Sequence, residues 1–188
     1  MQAPNSKVTI HMVASLDGFI AKADGSVSWM QSTDQYSGGE TLTMEKIEAF
    51  LKSIDCYVMG SHTYEHALEL GWPYGDKPVI VLSSRKLRVE RETVGFYSGD
   101  LNVLVEQQLK PKYRNIWMAG GAHSTRAFLQ AGLADEIVVS IMPILIGSGT
   151  PFFDHIGQEQ ALHLKDVTAY DDGMVELTYE IRNGENVL

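Results

Sequence analysis

Short apolar runs alternate with amphipathic segments along most of the chain. Some segments repeat apolar residues at helical spacing, as Ile47 and Leu51 do, and are typical of helices packed on a core. Asp100 is expected to cap one helix and Gly132 to end another. Residues 15–33 follow neither pattern and predict a long irregular loop. The predicted strands are 7–14, 55–59, 78–82, 94–97, 115–118 and 136–142, and the predicted helices are 41–53, 61–70, 100–109 and 122–131.

The order of these elements indicates the fold class. Strands alternate with helices through the middle, and the tail HLKDVTAYDDGMVELTYEIR predicts two strands around an Asp171-Asp172-Gly173 turn. This order predicts an α/β fold: a mostly parallel sheet flanked by helices, with an antiparallel C-terminal hairpin. We find no internal repeat or linker composition, so a single domain is expected over residues 1–188.

The amino-acid composition limits the classes of molecule that this protein is expected to bind. The net charge of −9 argues against broad binding to nucleic acid or to a membrane surface, so the expected partner is a small-molecule substrate. One cysteine, Cys56, forms no internal disulfide, and the first residues lack a signal-peptide pattern, which together favour a cytoplasmic protein. The apolar stretch SIMPILIG at 140–147 is long for one exposed edge and predicts a homodimer.

Three strand-to-helix corners are candidate phosphate sites, because parallel sheets bind ligands at the carboxyl ends of their strands. The corners are 59–63, 82–85 and 119–125. Two begin helices, whose free N–H groups favour an anion, and the other leads into a cluster of basic residues. Taken singly, each corner is better explained by helix capping or by close packing of a helix on a strand than by a phosphate site. Neither GxGxxG nor GxxxxGK[ST] occurs.

Four motifs carry a resemblance to a known family: VASLDGFIA at 13–21, VMGSHTYE at 58–65, VLSS at 81–84, and the glycine-pair stretch from Ile116. In this order and spacing the chain resembles the dihydrofolate reductase fold. More closely, it resembles the reductase domain of bacterial riboflavin biosynthesis and its stand-alone relatives. The resemblance implies an NADPH-dependent reductase that transfers a hydride to a small heterocycle, such as a pyrimidine or a pterin.

The resemblance also implies where NADPH would bind. The glycine pair would admit the cofactor, two helix starts would face its phosphates, and one turn would lie near its 2′-phosphate. Ser61 stands where many dihydrofolate reductases carry a basic residue, so selection of NADPH over NADH would rest mainly on Arg85. The implied cofactor residues are Ala14, Ile20, Gly60, Ser61, His62, Thr63, Ser83, Ser84, Arg85, Gly120, Gly121, Ala122, His123, Ser124 and Thr125.

The sequence identifies the proton donor and the substrate-contacting residues less clearly than it identifies the cofactor residues. Dihydrofolate reductases use a carboxylate on the first helix, for which Glu45 and Glu48 are the candidates here, although neither falls on the expected position. Asp17 matches a family position, but it is also a residue type that shapes turns. Trp29 lies where a lid over the substrate would come, or closes the rim of the core. A true dihydrofolate reductase is therefore not expected.

Two alternatives remain open from the residues alone. His62-Thr63-Tyr64-Glu65-His66 spells H-x-x-E-H, the arrangement of inverted zinc metallopeptidases, but the sequence identifies no third ligand, so no metal is expected. A nucleotide-binding protein without catalysis is the second alternative. The zinc-deaminase signature is missing, so in riboflavin synthesis this chain would perform the reduction alone.

Overall fold

The computed structural model describes residues 5–182. Within these residues, three α-helices and one π-helical segment flank a large sheet, beside which lies a small sheet of two strands. The strands are β1 (Lys7–Ser15), β2 (Phe19–Lys22), β3 (Cys56–Gly60), β4 (Val79–Leu82), β5 (Val94–Tyr97), β6 (Asn115–Met118), β7 (Glu136–Met142), β8 (Gly149–Pro151), β9 (Leu162–Ala169) and β10 (Val175–Ile181). The helices are α1 (Met44–Ser53), α2 (Ser61–Glu69) and α3 (Ala122–Gln130), and the π-helical segment is Val103–Leu109.

The large sheet has eight strands in the order β5-β4-β3-β6-β1-β7-β10-β9. Every pair from β5 across to β7 is parallel, whereas β10 runs antiparallel to β7 and β9. The predicted fold class is therefore confirmed. The Asp172-Gly173 turn closes the hairpin as expected: Gly173 has φ +83°, and the Asp172 carboxylate accepts the N–H of Met174 at 3.0 Å.

Side-chain alternation along β1 separates two layers of core. Val8, Ile10 and Met12 face α3 and the π-helical segment, in a cluster with Phe128 and Leu104. On the other face of the sheet, α2 packs against β3 and β4 through a second cluster, whose largest members are Tyr57, Tyr64 and Trp72. Among the described residues, no helix combines the length and the apolar character needed to cross a membrane.

Helix ends follow local chemistry. Thr43 caps α1 by accepting the N–H of Lys46 at 3.3 Å, so this helix begins later than the predicted residue 41. Asp100 caps the helical segment that begins at residue 101, as predicted, accepting the N–H of Asn102 at 2.7 Å. That segment continues as a π-helix, which apolar periodicity could not distinguish from an α-helix. Gly132, with φ +64°, follows α3 as predicted.

The prediction of an irregular loop over 15–33 was wrong in part. Residues 19–22 form β2, which pairs antiparallel with β8. Sequence patterns missed both strands because they are only four and three residues long and so show too few positions for a period. Gly149 makes their approach possible: a Cβ there would lie 2.0 Å from the Ala21 carbonyl oxygen.

A buried carboxylate ties three strands together. Glu136 on β7 accepts hydrogen bonds from Lys7 on β1 at 2.6 Å and from Lys165 on β9 at 2.5 Å. Burial raises the pKa of Glu136, but the hydrogen bonds and charges of the two lysines outweigh it, so the net pKa lies below the usual value. The carboxylate is therefore an ionic link between the parallel part of the sheet and the hairpin.

Replacing Glu136 with Gln should lower the free energy of unfolding at pH 7 by about 1–3 kcal/mol, since the amide leaves both lysines without their anion. A carboxyl with a lowered folded-state pKa stabilises the protein above its unfolded pKa, near 4.5, and this stabilisation is lost as pH falls through the folded pKa. The measurement is urea unfolding of both proteins from pH 7 to pH 3. The exposed Glu159→Gln is the control. A difference that stays constant across this range would contradict the ionic role.

Candidate functional site

Two adjoining clefts open on the α1 and α2 side of the sheet. The corner cleft, about 1250 Å³, lies at the carboxyl ends of the parallel strands, and its lining includes Ile20, Thr63 and the pair Gly120-Gly121. The helix cleft, about 870 Å³, lies between α1 and the sheet. Four residues line both clefts and so form the seam between them: His11, Met12, Val13 and Trp117.

Backbone contacts hold two of the predicted corners side by side. The Gly60 N–H donates to the Gly120 carbonyl at 3.0 Å, and the Ala119 N–H donates to the Val58 carbonyl at 2.8 Å. A Cβ on Gly60 would lie 3.0 Å from the Ser124 hydroxyl oxygen, so this glycine permits the approach of α3. The first and third corners therefore form one continuous rim.

Gly120 and Gly121 differ in the space around them. Gly120 has φ +120°, and a Cβ there would lie 2.8 Å from the Met12 sulfur, so glycine is required by the fold. A Cβ on Gly121 would meet only the Thr63 hydroxyl oxygen, at an ordinary 3.7 Å. The peptide bond between the two glycines is cis. Since packing does not require glycine at Gly121, that position is free to serve close approach by a ligand.

Both helices that begin at this rim lack a side-chain cap. The N-cap of α2 is Gly60 and that of α3 is Gly121, and neither helix start receives a side-chain hydrogen bond. Uncapped N–H groups and the helix dipole make each start a place of positive potential. Two such starts beside a glycine-lined cleft can hold an anionic group with several oxygens.

The charges in the corner cleft are mixed. Three carboxylates and three imidazoles line it: Asp24, Glu65, Glu69, His11, His62 and His66. No lysine or arginine lines it within residues 5–182. Arg85 stands behind Glu65 and donates to its carboxylate at 2.7 Å. Positive potential in the cleft therefore comes from the helix starts, and the Arg85 guanidinium is partly neutralised.

Other members of the basic cluster after the second corner contact neighbouring side chains. Arg88 pairs with Glu90 at 3.2 Å, and the Arg91 guanidinium lies 5.0 Å from the centre of the Trp72 ring. This loop lines neither cleft.

Five of the predicted cofactor residues line the corner cleft, and ten do not. Those in the lining are Ile20, His62, Thr63, Gly120 and Gly121. Outside the lining are Ala14, Gly60, Ser61, Ser83, Ser84, Arg85, Ala122, His123, Ser124 and Thr125. Several of the second group are the buried supports of the rim, since Ala14, Ser124 and Thr125 are almost without solvent exposure. Thr125 also bonds back to the Gly121 carbonyl at 3.2 Å.

Asp17 stabilises a turn. Its carboxylate accepts the Ser15 hydroxyl at 2.6 Å and the N–H groups of Ile146 and Gly147 at 3.2 and 2.7 Å. The Ser15 hydrogen bond is the largest of the effects that hold the pKa of Asp17 below its usual value. A carboxylate that is ionised and so fully engaged is a poor proton donor, so the turn-shaping interpretation accounts for Asp17 better than the catalytic one.

Glu45 is misplaced for proton transfer. It lies exposed in the first turn of α1 and lines neither cleft. Three other residues of the same helix, Lys46, Ile47 and Phe50, line the helix cleft. Successive helix residues are rotated by about 100°, and the sheet-facing side of α1 excludes both Glu45 and Glu48. The catalytic assignment of Glu45 is therefore corrected.

Trp29 is 4% exposed and packs with Met142, Tyr170 and Met174. It lines neither cleft, although its neighbour Met30 lines the corner cleft. The indole N–H of Trp29 is buried and has no hydrogen-bond partner within residues 5–182. Of the two interpretations of Trp29, packing in the core therefore describes its position.

The seam holds residues that sequence reasoning did not single out. The His11 ring stacks on Trp117, with centroids 4.9 Å apart, and meets Phe50 edge-on at 5.3 Å. The Trp117 indole N–H donates to the His11 carbonyl at 2.7 Å, which fixes that ring on the sheet. The available signal was the alternation of β1, which puts His11 on the face opposite Ile10 and Met12.

The zinc alternative finds no third ligand in the structure. No group of three or more His, Cys, Asp or Glu side chains within residues 5–182 could hold a metal ion. His62 and His66 line the corner cleft, but the intervening Glu65 is bound to Arg85. The H-x-x-E-H pattern therefore gains no further metal ligand from residues 5–182.

Solved structures share this architecture. A candidate riboflavin biosynthesis protein from Shewanella sp. PV-4 is 25% identical, with a TM-score of 0.81 over 94% of this chain and 99% of that one. A diaminohydroxyphosphoribosylaminopyrimidine deaminase/5-amino-6-(5-phosphoribosylamino)uracil reductase from Thermotoga maritima is 14% identical. Its TM-score is 0.67 over 95% of this chain and 57% of the Thermotoga chain, a likeness that concerns the fold.

Sequence comparison agrees with the structural one. The chain is 31% identical over 176 residues to the uncharacterised protein YwjB of Bacillus subtilis strain 168, covering 92% of this chain and 97% of YwjB. The profile of the RibD C-terminal domain matches residues 6–176. The chain therefore belongs to the RibD C-terminal domain family.

Proposed function

We propose that this protein is an NADPH-dependent reductase of a small heterocycle, with a pyrimidine of the 5-amino-6-(5-phosphoribosylamino)uracil kind as the first acceptor to test. The observation that carries the proposal is the convergence of two uncapped helix starts and Gly121 on a cleft that continues to the aromatic seam. The name of the Thermotoga maritima neighbour supports the choice of acceptor.

The residues of the corner cleft fit a dinucleotide. The rim offers N–H groups and an unfilled space at Gly121 to a pyrophosphate, and the cleft extends past Ile20 to the seam. Arg85 would serve a 2′-phosphate by exchanging its bond to Glu65 for one to the phosphate. When bound, NADPH supplies a hydride from its nicotinamide ring.

The seam suits a planar acceptor. His11, Trp117 and Phe50 present ring faces and edges around one point, and Trp117 is fixed by its hydrogen bond to the His11 carbonyl. A heterocycle held there would meet the corner cleft on one side and the helix cleft on the other. Exclusion of water by these rings would favour hydride transfer over side reactions.

A homodimer is part of the proposal, through the apolar face of the hairpin. On one side of β9 and β10 the apolar residues lie in register, Leu177 opposite Val167 and Tyr179 opposite Leu164. Leu164 and Val167 are 48% and 52% exposed. A second copy of the chain would cover this face by two-fold symmetry.

The central test is cofactor titration followed by turnover. We expect NADPH to bind at least about tenfold more tightly than NADH, a difference of about 1.4 kcal/mol, and Arg85→Ala to remove most of that difference. Protein fluorescence measures binding, with Arg88→Ala as the matched control. Loss of nicotinamide absorbance measures turnover with 5-amino-6-(5-phosphoribosylamino)uracil, dihydrofolate and flavin. Equal affinities would contradict the role of Arg85, and NADPH binding without turnover would favour a non-catalytic nucleotide-binding protein.

Gly121→Val tests the rim. Its Cβ is tolerated by packing, so the added methyl groups should enter the cleft and weaken NADPH binding at least about tenfold in a protein that still folds. Gly95→Val is the matched control, because Gly95 on β5 lines neither cleft. Thermal melting establishes folding, and Gly121→Ala replaces the valine variant if the latter does not fold. Unchanged affinity in a folded variant would count against a phosphate at this rim.

Leu164→Glu tests the dimer. A charge on the hairpin face should not be tolerated in a buried interface, so the variant should sediment as a monomer at concentrations where the parent protein is a dimer. Val89→Glu, at a similarly exposed apolar residue in the loop after the second corner, should leave the association state unchanged. A monomeric parent protein would refute the proposed interface.

A further inference from the structure

His11 carries a buried polar atom with no partner. Its Nδ1 is shielded from solvent and accepts or donates no hydrogen bond within residues 5–182. Buried polar atoms are nearly always paired, and an exception calls for an explanation. The ring that bears this atom lines both clefts at their seam, so a ligand bound there is the partner that the structure suggests.

The opposite edge of the ring belongs to a chain of hydrogen bonds across three strands. The Ser140 hydroxyl on β7 donates to the Glu176 carboxylate on β10 at 2.8 Å, and His11 Nε2 lies 3.2 Å from the same hydroxyl oxygen. Since that hydroxyl proton is given to Glu176, Ser140 accepts from an N–H on Nε2. This arrangement assigns a proton to Nε2 and leaves Nδ1 as the position for exchange.

Glu176 is a suitable counter-charge for a protonated ring. Its Oε2 lies 3.6 Å from His11 Nε2. The proximity of His11 is the largest effect on the pKa of Glu176 and, with the hydrogen bond from Ser140, lowers it against the opposing effect of burial. Five other charged residues line the same cleft. Lys46 of α1 is paired with Glu40 at 2.8 Å, Lys7 and Lys165 are paired with Glu136, and Asp166 of β9 is the fifth.

We propose that His11, positioned by Ser140 and Glu176, gives the acceptor its proton from Nδ1; this rests on the proposed reductase function. The acceptor's double bond to nitrogen or oxygen breaks, its carbon takes a hydride from NADPH, and its heteroatom takes the proton of Nδ1. NADPH is oxidised to NADP⁺, the acceptor gains two electrons and two hydrogens, and neutral His11 regains a proton from water. Glu176 stays ionised throughout and acts as a positioning residue.

Aromatic packing is the competing explanation for His11, because the ring also contacts Phe50 and Trp117. The two explanations differ in what glutamine would do at this position. Glutamine preserves hydrogen-bonding capacity and much of the volume, but it cannot transfer a proton at neutral pH. A packing role predicts that the variant loses stability while its folded fraction turns over normally. A proton-transfer role predicts that the variant keeps its stability and loses turnover.

The kinetic experiment uses the full chain, NADPH and 5-amino-6-(5-phosphoribosylamino)uracil. His11→Gln should lower kcat about a hundredfold, and Glu176→Gln about tenfold, while the Kd for NADPH changes by less than about twofold. The controls are His163→Gln, at a hydrogen-bonded histidine on β9, and Glu180→Gln, which removes a charge from the same strand as Glu176. Both controls should retain the parent kcat.

A second measurement does not depend on turnover. Carboxyl ¹³C resonances, followed by pH titration, should show the Glu176 midpoint moving to higher pH in His11→Gln, because the imidazole whose proximity and charge lower its pKa is gone. An unmoved midpoint, or an unchanged kcat in folded His11→Gln, would overturn the role of His11 and leave the reductase intact. A parent protein that binds no NADPH, or binds it without reducing the acceptor, would overturn the proposed function and this role with it.

Discussion

Parallel pairing on both edges of β1 is the constraint on which the rest of the structure depends. β1 is bonded to β6 on one side and to β7 on the other, so its register fixes which side chains face which layer. Val8, Ile10 and Met12 enter the core, and His11 therefore faces α1. A slip of one residue would exchange these two sets, burying His11 and exposing the core residues.

Parallel direction also explains why the corners meet. β3 and β6 run side by side in the same sense, so the chain leaves both at one edge and starts α2 and α3 there. Glycine at Gly60 and Gly120 lets these helices and β1 come within contact distance. The acidic chain thus obtains a local positive potential from backbone N–H groups, although carboxylates such as Glu65 line the same cleft.

The α1 side of the sheet and its hairpin edge are less completely covered than the core beneath α3. α1 has no buried residue, and its half-exposed Phe50 packs against the seam residues His11 and Trp117. The hairpin carries polar groups on one face, including Ser140's partner Glu176, and apolar residues such as Leu164 on the other. Since a strand alternates between faces, β10 can serve the helix cleft and present an apolar surface away from it at the same time.

The sequence by itself determined the parallel sheet with its closing hairpin, because apolar runs, helical spacing and the Asp172-Gly173 turn are local patterns. The order of the motifs indicated the family and identified Gly120 and Gly121 as a candidate ligand-binding corner. Sequence patterns did not detect β2 and β8, because strands this short have too few residues to show a periodic pattern. Only the tertiary structure assigned Asp17 to a turn, removed Glu45 from the site and joined His11 to Ser140 and Glu176. Those three residues lie on β1, β7 and β10, far apart in sequence, and only strand register brings them together.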